Sequence, residues 1–172
     1  RELAVAARDG SSRLLEYSAS GADDGPAILV VPSLVNRAYV LDLAEGQSFM
    51  RWLSANGVDG FLVDWGRPDD AERGFDLTNY IADRLERFFN LVYERSRKPV
   101  FVLGYCMGGN FALALTQRDR IVPPESARVI ADALPNCQLQ EPNVGHIGLI
   151  AGSRAAAEVW SPVLAWIRTN DP

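Results

Sequence analysis

The sequence predicts an α/β fold, a mainly parallel sheet with helices on both faces, and three observations carry that prediction. Short, nearly continuous apolar runs recur at Ala27–Val31, Gly60–Trp65 and Val100–Gly104, as in strands buried on both faces. Each run is followed by residues at helical spacing, first over Gln47–Asn56, then over Thr78–Arg95, then through the Ala/Leu-rich Asn110–Leu115. The third observation is the turn that joins the last pair, Gly104-Tyr105-Cys106-Met107-Gly108-Gly109.

That turn has the form of a nucleophile elbow, a sharp strand-to-helix turn that projects its central residue from the end of a strand. Gly104 and Gly108 remove Cβ atoms that would collide across the turn, and Gly109 is expected to let the helix pack closely. The central position, serine in the usual pattern, holds Cys106. A thiol at a helix N-terminus faces the positive end of the dipole, which favours the reactive thiolate. A small buried cysteine that only packs is the competing reading, and the flanking glycines argue against it.

The remaining elements follow in order. Leu14–Tyr17 is expected as a short edge strand, with Ser18 to Pro26 as its loop. Ala27–Val31 is a buried strand ended by Pro32, and Ser33–Arg37 forms a loop at the carboxyl end of the sheet, where ligands bind in open α/β folds. Gln47–Asn56 turns Phe49, Met50 and Leu53 inward and stops at Gly57. In Thr78–Arg95 the apolar Ile81, Leu85, Phe88 and Val92 share a face, and Asp83, Arg84, Glu86 and Arg87 are assigned to a solvated one. A helix at Ala127–Leu134, a last strand at Cys137–Glu141 and a closing helix at Ala155–Arg168 complete the chain, the last with Trp160, Val163, Leu164 and Ile167 inward. Cys137 is expected to be structural.

At 172 residues and 48% hydrophobic, the chain can bury one core, so a single domain over residues 1–172 is expected. A net charge of −5 offers no basic field for phosphate backbones or anionic membranes, which disfavours nucleic-acid binding. The two cysteines are too few for a disulfide scaffold or a zinc site, and a reducing, cytoplasmic location is expected. Arg1 to Gly25 lacks the order of a signal peptide, and no apolar run is long enough to span a bilayer. The chain begins without methionine and is expected to be a piece of something longer.

A thiol nucleophile needs a base, and the base needs a third group to orient it. His146, the only histidine, follows the last expected strand. Asp119 lies between nucleophile and base, in the chain order Ser/Cys, acid, His of α/β-hydrolases, with Asp64 as the alternative carboxylate. The two N–H donors of an oxyanion hole are expected from Met107 and from Leu34 or Val35.

Four segments, Val31–Leu43, Val63–Asp69, Gly104–Gly109 and Gly145–Ile147, resemble the polyhydroxyalkanoate (poly-3-hydroxybutyrate) synthase family of the α/β-hydrolase superfamily. The likeness extends from Ala27 to Arg168. It implies a Cys-His-Asp triad that joins (R)-3-hydroxyacyl groups from coenzyme A thioesters into polyester. On that resemblance Cys106 is the acylated nucleophile, His146 the base, and Asp119, in its Asp-x-Ile-x-Pro piece, the acid. The coenzyme A ester is then substrate, with no bound cofactor or metal. The implied partners are the hydroxyacyl-coenzyme A, the growing polyester, and a second copy or second synthase subunit, in association with polyester granules. Thiol chemistry fits: transfer between thioesters is nearly isoenergetic, so an acyl-cysteine keeps the group activated.

One interval departs from the complete pattern. A helix from Met107 to about Thr116 carries the chain roughly 15 Å from the elbow, at about 1.5 Å per residue. Only Gln117 and Arg118 then precede Asp119, too few for the return strand of about 5 residues. The family pattern places a strand, a cap and a second strand here, so the α/β-hydrolase core is expected to be truncated, or interrupted by an unseen insertion, near residue 117. Three functions follow as expectations: a polymerising acyltransferase, a Cys-dependent thioesterase or depolymerase-like hydrolase, and an inactive fragment that binds granules or a partner. Without a cap to exclude water, hydrolysis is expected to dominate.

Overall fold

The computed structural model describes residues 3–18, 25–35, 37–116, 138, 142 and 148–171. The helix expected at Ala127–Leu134, the strand at Cys137–Glu141, Cys137 itself and the interval after Thr116 lie outside the described residues.

Strands β1 (Ala4–Asp9), β2 (Ser12–Tyr17), β3 (Ala27–Val31), β6 (Asp59–Asp64) and β7 (Val100–Gly104) form one sheet in the order β1-β2-β6-β3-β7. β4 (Asp42–Ala44) and β5 (Gln47–Ser48) make a separate antiparallel ribbon. β3 pairs in parallel with both β6 and β7, while β2 runs antiparallel to β1 and β6. The predicted parallel core is therefore present, with an antiparallel flank.

Alternation along the strands sorts side chains into two cores, since successive Cβ atoms point to opposite faces. Ile28, Val30, Leu62, Leu15 and Tyr17 face one side, where α1 (Phe49–Ala55) supplies Phe49, Met50 and Leu53. The closing helix, Ser161–Asn170, adds Leu164 and Ile167 to that side, with Trp160 just before it. Ala27, Leu29, Val31, Phe61, Val63 and Leu14 face the other side. There they meet Phe88 and Val92 of α2 (Glu86–Ser96) and Phe111 of α3 (Gly108–Thr116). Helices thus cover both faces, as predicted.

Four expectations need correction. Leu14–Tyr17 is not an edge: β2 is the second strand, because Leu14 and Leu15 are buried on opposite faces and β1 pairs outside it. The first helix starts at Phe49, with the Ser48 hydroxyl capping it by accepting from the Arg51 N–H, while Gln47 belongs to the ribbon. The helix of Thr78–Arg95 is π-helical over Asn79–Leu85 and α-helical only from Glu86, and the closing helix likewise begins with a π-helical Ala156–Trp160.

The fourth concerns Arg84, which is 3% exposed rather than solvated. It stands three residues after Ile81 and four before Phe88, on the apolar stripe itself. Its guanidinium pairs with Glu72 at 2.8 Å, reaches Asp9 at 3.6 Å, donates to Ser12 Oγ at 3.1 Å and lies over the Phe75 ring. A buried charge persists where it is paired and hydrogen-bonded, and both of the Arg84 terminal nitrogens have such partners.

Candidate active site

The site is built where β3 and β7 end side by side. The Tyr105 N–H extends the ladder to the Val31 carbonyl at 2.9 Å, and the chain then turns abruptly. Cys106 adopts φ +58°, a left-handed conformation that among the described non-glycine residues only Arg97 shares. Such a backbone is strained for a residue with a Cβ, and it throws the exposed thiol outward. The turn closes through Gly108 N–H to Tyr105 O at 3.0 Å and Gly109 N–H to Cys106 O at 2.9 Å.

Two of the three glycines are sterically required. A Cβ on Gly104 would meet Gly108 O and Gly109 Cα at 2.4 Å each, and one on Gly108 would fall 1.9 Å from Val31 O. Gly109 is different. Its nearest contact for an added Cβ is Gly104 O at 3.8 Å, so the close packing expected of it belongs instead to Gly104 and Gly108.

Of the expected oxyanion donors, Met107 follows Cys106 and packs against the core that holds Phe111. Across from it, the loop after β3 begins with buried Pro32 and Ser33. The Val35 N–H is already given to Ser33 Oγ at 3.1 Å, in a side-chain turn around Leu34. Among the described residues neither the Leu34 nor the Met107 N–H has an acceptor.

Asp64, the alternative acid, is committed elsewhere. One carboxylate oxygen accepts from the Arg13 guanidinium, with Nε at 3.1 Å, and the other accepts from the Gly66 N–H at 3.1 Å. It fixes the turn after β6 to β2. His146 and Asp119 lie outside the described residues. Burial raises the Tyr105 phenol above its ordinary value, with the neighbouring Cys106 adding to the effect.

Sequence reasoning missed Trp65 and the polar cluster behind it. The Trp65 indole N–H donates to the Pro32 carbonyl at 3.0 Å, and its ring meets Tyr80 and Phe111 edge-on at 5.7 and 5.9 Å. Its own carbonyl accepts from the Ser12 hydroxyl at 3.1 Å, and the Ser11 hydroxyl donates a hydrogen bond to Glu72 at 2.6 Å. Burial opposes charge on Glu72, but the Ser11 hydrogen bonds and the Arg84 ion pair outweigh it and hold this carboxyl below its ordinary value. The helical spacing of Arg84 was the available signal. No cluster of metal-ligating side chains occurs among the described residues, and no helix among them is long and apolar enough to cross a membrane.

No family model matches the chain. It is 38% identical over 87 residues to a poly(3-hydroxyalkanoate) polymerase subunit PhaC of Synechocystis, a match covering 50% of this chain and 23% of that protein. The Haloarcula marismortui subunit is 34% identical over 122 residues, covering 65% and 26%. The Allochromatium vinosum subunit is 40% identical over 87 residues, covering 50% and 24%. The chain thus spans about a quarter of the length of these curated relatives. A soluble variant of monoglyceride lipase from Saccharomyces cerevisiae shares the fold, with TM-score 0.54 and 20% identity over 69% of this chain and 40% of that one. By sequence the chain is similar to a part of the poly(3-hydroxyalkanoate) polymerases, and its fold is that of the α/β-hydrolases.

Proposed function

We propose that this chain carries the acyl-transfer centre of a polyhydroxyalkanoate synthase, with Cys106 as the acylated nucleophile. The observation that supports this most is Cys106 itself, an exposed thiol at φ +58° between two glycines that have no room for a Cβ. A structural cysteine needs neither the strain nor the exposure.

In the first half-reaction the Cys106 thiolate attacks the thioester carbonyl of a (R)-3-hydroxyacyl-coenzyme A. The N–H groups of Met107 and Leu34 receive the developing oxyanion, and Val35 is the weaker candidate because its N–H is engaged with Ser33. Collapse expels the coenzyme A thiolate and leaves an acyl-cysteine. In the second half-reaction His146, oriented by Asp119, takes the proton of an incoming hydroxyl, which attacks the acyl-cysteine and regenerates the thiolate. The coenzyme A ester is a substrate and no cofactor is assigned. A cytoplasmic, granule-associated location and pairing with a second copy or second subunit belong to the same proposal.

Incubation with (R)-3-hydroxybutyryl-coenzyme A tests it. Release of coenzyme A, lost in Cys106→Ala, is the expected result, and polyester as its product marks an acyl-cysteine shielded from water. Release with free 3-hydroxybutyrate as the main product supports the hydrolase alternative. No release, with retained binding to polyester granules, supports the inactive binding module.

A further inference from the structure

We infer that Trp65 is a positioning residue for the oxyanion loop, acting through its indole N–H on the Pro32 carbonyl. This rests on the acyl-cysteine proposal above and adds a side chain that neither the triad nor the oxyanion donors include.

The loop Pro32–Val35 leaves the sheet directly after β3, and two hydrogen bonds hold it on either side of Leu34. Trp65 fixes the carbonyl of Pro32 at 3.0 Å, and Ser33 Oγ takes the Val35 N–H at 3.1 Å. Leu34 keeps its N–H unoccupied between them, among the described residues. The Trp65 bond is fully buried, so water cannot replace it.

Trp65 is itself over-determined. Its ring makes edge-on contacts with both Tyr80 and Phe111 of the elbow helix. Its carbonyl is held by Ser12, whose hydroxyl in turn accepts from Arg84. One residue therefore touches both halves of the site: Pro32 on the loop side and α3 on the nucleophile side. A hydrogen bond that fixes a loop donor helps only a reaction that develops an oxyanion.

The test exploits that distinction with two probes of Cys106. Acylation by (R)-3-hydroxybutyryl-coenzyme A passes through an oxyanion, whereas alkylation by iodoacetamide does not. Trp65→Phe removes the N–H and keeps a ring. It is expected to slow acylation about 10- to 100-fold, as a misplaced catalytic group does, with alkylation at the parent's rate. Leu53→Ala, which opens the core on the opposite face of the sheet from Trp65, is expected to lower the thermal midpoint and leave acylation unchanged. If Trp65→Phe does not fold, benzothienylalanine at position 65 keeps the indole shape and lacks the N–H. Acylation at the parent's rate in the N–H-less variant overturns the assignment, as does equal slowing of both reactions, or equal slowing by Leu53→Ala. An unsubstituted chain that is never acylated overturns the acyl-cysteine proposal, and this assignment with it.

Discussion

The Cβ that Gly108 lacks would stand 1.9 Å from the carbonyl oxygen of Val31, so the first turn of the elbow helix rests directly on the end of β3. That contact brings the elbow turn against the loop after β3, whose Leu34 N–H is the proposed second oxyanion donor.

Gly108→Ala and Gly109→Ala should therefore behave oppositely. The first forces backbone apart and is expected to destabilise by about 1–3 kcal/mol, as overpacking does, with loss of Cys106 reactivity. The second finds its nearest contact at 3.8 Å and replaces a helical glycine, so it should be neutral or stabilise by up to about 1 kcal/mol. Urea unfolding of the two variants decides it.

Cys106→Gly should abolish acylation while raising stability. Relief of the positive φ is worth about 1–2 kcal/mol, and the entropy of an added glycine takes back about 0.5–1 kcal/mol. The exposed thiol forfeits little packing. A net gain of about 1 kcal/mol in denaturant unfolding is expected.

Glu72→Gln leaves the buried Arg84 guanidinium without its closest counter-charge. Breaking one partner of a buried pair costs about 3–5 kcal/mol. Arg73→Gln, at the exposed pair with Asp70, is the control and should change stability little.

Acid should unfold the chain through Glu72 and Asp42. Burial works against charge on Asp42, but hydrogen bonds from Arg51, Ser48 and Tyr17 prevail, and like Glu72 it is held below its ordinary value. A carboxyl depressed in the fold binds more protons once unfolded, so stability rises with pH across that window. Their contribution is complete above the ordinary values of 4.5 and 3.8 and is lost as pH falls through the folded values. Thermal midpoints measured between pH 6 and pH 3 should fall with acid, less steeply in Glu72→Gln.

The elbow and the parallel core were legible because their signals are local. Three consecutive apolar strands and a glycine-spaced cysteine need no knowledge of the rest of the chain. β1 escaped notice because its Ala-rich Ala4–Asp9 is only partly covered and shows little alternation. Arg84 was misassigned because its charge was weighed above its position on the apolar stripe. The roles of Trp65 and Glu72 depend on partners 33 and 61 residues distant, and no pattern of spacing announces such contacts.

Intact-mass measurement after brief exposure to (R)-3-hydroxybutyryl-coenzyme A addresses the central claim most directly. The account predicts a gain of one 3-hydroxybutyryl group, mapped by peptide analysis to Cys106 and absent in Cys106→Ala. An unmodified chain, or an adduct that persists in Cys106→Ala, contradicts it.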